Sequence, residues 1–136
     1  MRNVLLPFSL ALVLVTAGCS NAQSGPIPEV TIPTDIEAPA FNARIAKGDA
    51  RLIDVRTPAE FESGHIKGAK NMDWSAPDYE KNFATLDVSR PVLLYCAAGG
   101  RSGQAKEYLE EKGFNVTHLV DGITGWKKAG LPIVTD

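Results

Sequence analysis

The stretch Pro91-Val92-Leu93-Leu94-Tyr95-Cys96-Ala97-Ala98-Gly99-Gly100-Arg101-Ser102 decides how this chain folds. Val92 to Tyr95 is apolar throughout, whereas a strand with one wet face alternates, so the run predicts a central strand of a parallel sheet buried on both sides. From Ser102 to Lys112 the pattern changes to helical spacing. Ala105, Tyr108 and Leu109 fall on one face, and Lys112-Gly113 supplies a basic last turn and a glycine stop. Between strand and helix lies a loop of small residues at the carboxyl edge of the sheet, where open α/β folds place ligands. Its two glycines let the backbone curl over the Cys96 thiol, so that several N–H groups can point at one sulfur. The positive end of the helix dipole faces the same point and favours the thiolate over a thiol of ordinary pKa, about 8.5. An anionic sulfur is the expected occupant. The plainer alternative is a small buried hydrophobe at a strand end.

Working outward, the same unit recurs. Arg51–Val55 precedes a helical pattern over Pro58–Ser63, and Ala69–Asp73 precedes one over Asp78–Ala84. After the central pair, Val116–Val120 precedes Ile123–Ala129. Strand followed by helix four times predicts an α/β fold with a parallel sheet covered on both faces. A length of 136 residues suits one ordinary domain. The formal charge of -2, with no Lys/Arg run, gives no electrostatic footprint for nucleic acid. Two cysteines and two histidines supply neither a disulfide framework nor a four-ligand zinc site, so no metal and no cofactor are expected.

The N-terminus has a different character. Arg2 is followed by the apolar stretch Val4 to Val15 and then by Thr16-Ala17-Gly18-Cys19, the layout of an export signal. The stretch contains Pro7 and falls short of the roughly 20 apolar residues that span a bilayer. The run ending in Cys19 resembles a bacterial lipobox, in which the cysteine thiol receives diacylglycerol, although Thr16 stands where Leu is usual. Residues 1–18 are thus expected to be a signal peptide and Cys19 the lipidated residue. The chain would then be held at the periplasmic face of a membrane by its lipid alone. Ser20-Asn21-Ala22 offers a rival cleavage site, which would release a soluble periplasmic protein. Residues 19–31 read as a linker within the Pro-rich, tether-like stretch Ser20 to Pro39, with a short edge strand at Glu29–Ile32, and Pro26, Pro28, Pro33 and Pro39 are expected to bar a helix across that stretch.

A family resemblance rests on three blocks. Leu52-Ile53-Asp54-Val55-Arg56-Thr57-Pro58-Ala59-Glu60-Phe61, with Gly64-His65-Ile66 and Gly68-Ala69, resembles the opening signature of rhodanese domains. Tyr95-Cys96 through Ser102 resembles their active-site loop, and Asp121-Gly122-Ile123-Thr124-Gly125-Trp126 with Gly130-Leu131-Pro132 their closing segment. The resemblance implies a single domain over residues 32–136, with about five parallel strands and helices on both faces. It implies a sulfurtransferase in which Cys96 takes a sulfane sulfur from thiosulfate or a related small anion and passes it to cyanide, a thiol or a protein acceptor. The persulfide would be bound by Ala97, Ala98, Gly99, Gly100, Arg101 and Ser102. Such a thiolate already lacks its proton, so no general base is expected beside it. Members active on thiosulfate often carry Arg or Lys after the cysteine, where this chain has Ala97. Gly100 replaces a larger polar residue, which predicts a wider, less polar mouth.

Asp54 and Arg56 flank Val55 and project to one face. They are expected to brace the active loop from below, the alternative being a plain ion pair with Glu60. Arg101, set against the helix dipole, must gain a carboxylate or a substrate anion. His65 reads as a turn residue bonded to backbone and His118 as a strand residue without a partner, neither a ligand. Trp74, Trp126 and Phe61 read as packing. Three rival functions stand beside sulfur transfer, of which a thiol oxidoreductase lacks a resolving cysteine. A sulfur carrier or interaction module would use the same fold. A thiolate phosphatase or arsenate reductase would need one more residue between the cysteine and the arginine than Ala97, Ala98, Gly99 and Gly100 provide.

Overall fold

The computed structural model describes residues 33–135. The expected signal peptide, Cys19, the expected linker and the strand expected at Glu29–Ile32 lie outside them. Five strands form one sheet: β1 (Asp35–Ile36), β2 (Arg51–Asp54), β3 (Lys70–Asn71), β4 (Val92–Tyr95) and β5 (Val116–Leu119). Their spatial order is β1-β5-β4-β2-β3, every pairing is parallel, and β4 stands in the middle. The helices are α1 (Ala38–Ala46), α2 (Pro58–Glu62), α3 (Tyr79–Phe83), α4 (Gly100–Glu111) and α5 (Gly122–Lys128).

The central strand explains the two-sided core. All four residues of β4 are buried, and the pleat sends alternate side chains to opposite faces. Val92, Leu94 and Cys96 join Phe83 of α3 and Ala105 and Leu109 of α4. Leu93 and Tyr95 join Phe41 of α1 and Ile123 and Trp126 of α5. Each such aliphatic or aromatic side chain contributes about 1.5–3 kcal/mol by leaving water. Phe41 meets Trp126 edge-on, and the Trp126 indole N–H donates to the Pro132 carbonyl at 2.9 Å, tying the C-terminal tail to α5.

One expectation is corrected at the start of the domain. Pro39 opens α1 instead of barring a helix. In the first turn its missing N–H has no partner to lose and its fixed φ already suits the helix. At one edge of the sheet Asp35–Ile36 pairs with His118 and Leu119. Elsewhere α4 begins at Gly100, two residues before the expected Ser102. Helix α2 starts from a capping box: the Thr57 side chain accepts from the Glu60 N–H, and the Glu60 carboxylate accepts from the Thr57 N–H at 3.0 Å.

Candidate active site

The loop expected to carry chemistry leaves the end of β4 and wraps around one sulfur. Cys96 is 2% exposed and is a free thiol. The Gly99 N–H donates to its Sγ at 3.1 Å, and the Ser102 hydroxyl lies 3.3 Å away. Burial alone pushes this thiol up. The Ser102 hydroxyl and the N–H groups of Ser102, Ala98 and Gly99 outweigh it, so the net pKa lies below the ordinary value.

Gly99 makes this curl possible. Its φ of +93° is left-handed, and an added Cβ would lie 1.9 Å from the Val120 carbonyl oxygen, so only glycine fits. The loop is also tied from outside. The N–H groups of Ile123 and Thr124, at the start of α5, donate to the carbonyls of Cys96 and Ala97 at 2.8 and 3.1 Å. Those ties hold the carbonyls away from the sulfur and leave the N–H side of the loop to face it. Gly122 permits the approach, since a Cβ there would stand 2.5 Å from the Cys96 carbonyl oxygen.

The other candidate residues are distributed as follows. Ala97 is half-buried, Ala98 and Gly100 are exposed, and Ser102 is buried. Arg101 gains a carboxylate: its two terminal nitrogens donate to Glu60 at 2.8 and 2.7 Å. That fork, with the Thr57 cap, holds the Glu60 carboxyl down at about 2. Arg56 does not pair with Glu60. Its Nε and Nη2 clasp the fully buried Asp54 carboxylate at 2.6–3.0 Å, and Nη2 also donates to the Gly64 carbonyl at 2.9 Å. The guanidinium carbon stands 5.8 Å from the centre of the Tyr95 ring, and the Tyr95 hydroxyl accepts from the Ile66 N–H at 3.1 Å. The Asp54–Arg56 pair is therefore set against the residue preceding Cys96.

His65 bonds backbone, its Nδ1 lying 3.0 Å from the Phe61 carbonyl while its ring stacks on Phe61. Trp74 packs against Tyr79, Phe83 and Tyr108. His118 departs from expectation, because it does have partners: Nε2 lies 2.9 Å from the Ser102 hydroxyl and Nδ1 3.1 Å from Asp35 Oδ1. A signal was available. His118 is a polar residue near the carboxyl end of a strand that a right-handed crossover sets beside β4, on the face that carries Cys96. Among the described residues no group of three or more His, Cys, Asp or Glu could hold a metal ion. The arrangement is suited to holding one anionic sulfur and stabilising it with dipoles.

Comparison with known proteins agrees with that geometry. Residues 37–129 match the rhodanese-like domain model. A sulfurtransferase of Allochromatium vinosum is 36% identical over 102 residues, covering 74% of this chain and 94% of the relative. The YqhL protein of Bacillus subtilis is 44% identical over 81 residues, 60% of this chain and 61% of its own length. A rhodanese-related protein from Thermoplasma volcanium has a crystal structure that superposes with a TM-score of 0.69 at 28% identity, covering 75% of this chain and 98% of that one. Fold, loop and sequence agree, and the chain belongs to the rhodanese-like family, which includes sulfurtransferases.

Proposed function

We propose that the protein is a sulfurtransferase that carries sulfane sulfur on Cys96. The observation that supports this reading most is the buried Sγ ringed by N–H groups and the Ser102 hydroxyl, with a thiol pKa held below its ordinary value. The Cys96 thiolate attacks the outer sulfur of thiosulfate or a related donor. The donor S–S bond breaks, its electron pair leaves on sulfite, and a Cys96 persulfide forms. Cyanide or a thiolate acceptor then attacks the outer sulfur and returns the Cys96 thiolate, two displacements in ping-pong order. The inward N–H groups stabilise the charge in both steps.

A second reading has its own support. The loop holds one cation, Arg101, and both of its terminal nitrogens are engaged by Glu60, while Ala97 supplies none. A carrier that receives sulfur from a persulfide donor needs no cation at the mouth. Intact mass measurement after incubation with thiosulfate, mercaptopyruvate, a persulfide or a phosphate ester separates these readings. Gain of one sulfur on Cys96 from thiosulfate supports the first, gain from the persulfide alone the second, and a phosphorylated cysteine neither.

Export and anchoring through Cys19 complete the proposal. They rest on the signal-like N-terminus alone. Cys19→Ser is expected to move the protein from the membrane fraction to a soluble or unprocessed form. A variant that fractionates like the parent would favour cleavage after Ala22.

A further inference from the structure

The polar atoms behind Cys96 form a continuous line to the surface. Sγ lies 3.3 Å from the Ser102 hydroxyl, that hydroxyl 2.9 Å from His118 Nε2, and His118 Nδ1 3.1 Å from Asp35 Oδ1. Three elements supply the line: α4, β5 and β1. His118 is 8% exposed and Ser102 fully buried, so the inner contacts lie out of water, while Asp35 at the outer end is exposed. From these distances we infer that His118 is the proton acceptor for the Cys96 thiol, acting through Ser102 and held in place by Asp35.

The donor and acceptor inventory carries the argument. A carboxylate only accepts, so the nitrogen facing Asp35 must bear a proton. Nε2 lies 3.2 Å from the Gly99 carbonyl, which also only accepts. Both ring nitrogens thus face acceptor-only atoms, an arrangement satisfied in full by the imidazolium. With Nε2 donating, the Ser102 hydroxyl proton is left for the Cys96 thiolate at 3.3 Å or the Gly99 carbonyl at 3.2 Å, and the anionic sulfur is the stronger acceptor. In the other state a neutral His118 accepts the Ser102 hydroxyl proton, and the hydroxyl oxygen accepts from the Cys96 S–H. Passage between the states is a two-proton shift. The S–H bond breaks as the Ser102 oxygen gains that proton, and the former Ser102 proton forms the Nε2–H bond. No electrons are gained or lost.

Charged groups face His118 from several elements. From β1 it faces Asp35. From α4, Lys106 donates to the same Asp35 oxygen at 2.8 Å and stands 3.9 Å from Glu110. From the end of β4 it faces Cys96 through Ser102. The Lys106 hydrogen bond, above all, holds Asp35 below the usual carboxylate range, so the anion beside His118 persists. The line of contacts thus runs from Lys106 through Asp35, His118 and Ser102 to Cys96.

The inference rests on Cys96 being the reactive sulfur, yet its test uses no sulfur transfer, so its failure is distinct from failure of the proposed function. The rate of Cys96 alkylation by iodoacetamide, a neutral reagent, is measured on the full chain as a function of pH, reading the Cys96 peptide by mass spectrometry. His118→Gln is expected to slow alkylation about tenfold at pH 6.5, with the curves meeting above pH 9.5, where the thiol ionises unaided; tenfold corresponds to one pKa unit. Asp35→Asn, which leaves His118 in place, is expected to act in the same direction by about threefold, smaller because the imidazole remains. A uniform slowing at every pH, or none, overturns the inference. In the native protein, alkylation removes the thiolate. The ¹⁵N spectrum of the His118 ring at neutral pH is then expected to change from imidazolium towards a single-proton tautomer, and an unchanged ring spectrum overturns the inference equally.

Discussion

Gly99→Ala is the most demanding test of how the loop activates its sulfur. The new Cβ would lie 1.9 Å from the Val120 carbonyl oxygen at a φ of +93°. The Val120 end of β5 cannot retreat easily, because the Val120 N–H donates to the Ile36 carbonyl at 3.1 Å. The loop must move instead, by about 1.5 Å to reach ordinary contact. That displacement removes the Gly99 N–H from Sγ, a bond of 3.1 Å. A hydrogen bond to a charged group contributes about 1.5–3 kcal/mol. Its loss raises the thiol pKa. Adding about 1–2 kcal/mol for the left-handed backbone, the variant is expected to lose about 2.5–5 kcal/mol of stability. Urea denaturation reads the second quantity and the pH profile of Cys96 alkylation the first. Gly100→Ala is the control: nothing lies within 4 Å of its added Cβ, and alanine in a helix gains up to about 1 kcal/mol over glycine. If Gly99→Ala alkylates with the native pH profile, the inward N–H group does not activate the sulfur and the reasoning fails.

Cys96→Ser is expected to abolish sulfur transfer while leaving the denaturation midpoint close to the parent's, since an alcohol has no accessible anion at neutral pH; residual turnover above a few per cent would refute it. Ala97→Arg is expected to raise kcat/KM for thiosulfate about five-fold, from about 1 kcal/mol of screened attraction, with little effect on an uncharged persulfide donor. The gain should shrink with added salt, and an equal response from both donors would count against a role for charge at that position. The Glu60 pair sets a pH window. The folded carboxyl sits at about 2 against an ordinary 4.5, so its stabilisation is complete above about 4.5 and is lost as pH falls through about 2. The side chain is 36% exposed, so screening reduces this to about 1 kcal/mol. Glu60→Gln, which keeps a capping side chain, is expected to lose that amount at neutral pH and to flatten the acid limb of the urea midpoint.

The sequence was most legible where one local pattern did one job. The apolar run of β4, the small-residue loop and the amphipathic helix after it predict the centre of the fold, and the model adds a boundary shift of two residues. Legibility failed where a residue's meaning depends on its place in an element. Pro39 reads as a breaker in a Pro-rich stretch, yet in a first turn it is a helix opener. It failed again where partners are distant along the chain. Arg101 and Glu60 are 41 positions apart, and His118 and Asp35 are 83. No periodicity joins such pairs. β1, at two residues, is too short for alternation to register, so the carboxylate beside His118 could not be placed from sequence alone.

The ties from Ile123 and Thr124 to the carbonyls of Cys96 and Ala97 set an order of events during synthesis. A growing chain that has not reached Gly122 already contains the thiol, but nothing yet holds those two carbonyls away from it. A product truncated at Asp121 would lack both ties. The loop around Cys96 is fastened from outside only once the segment that begins at Gly122 has docked.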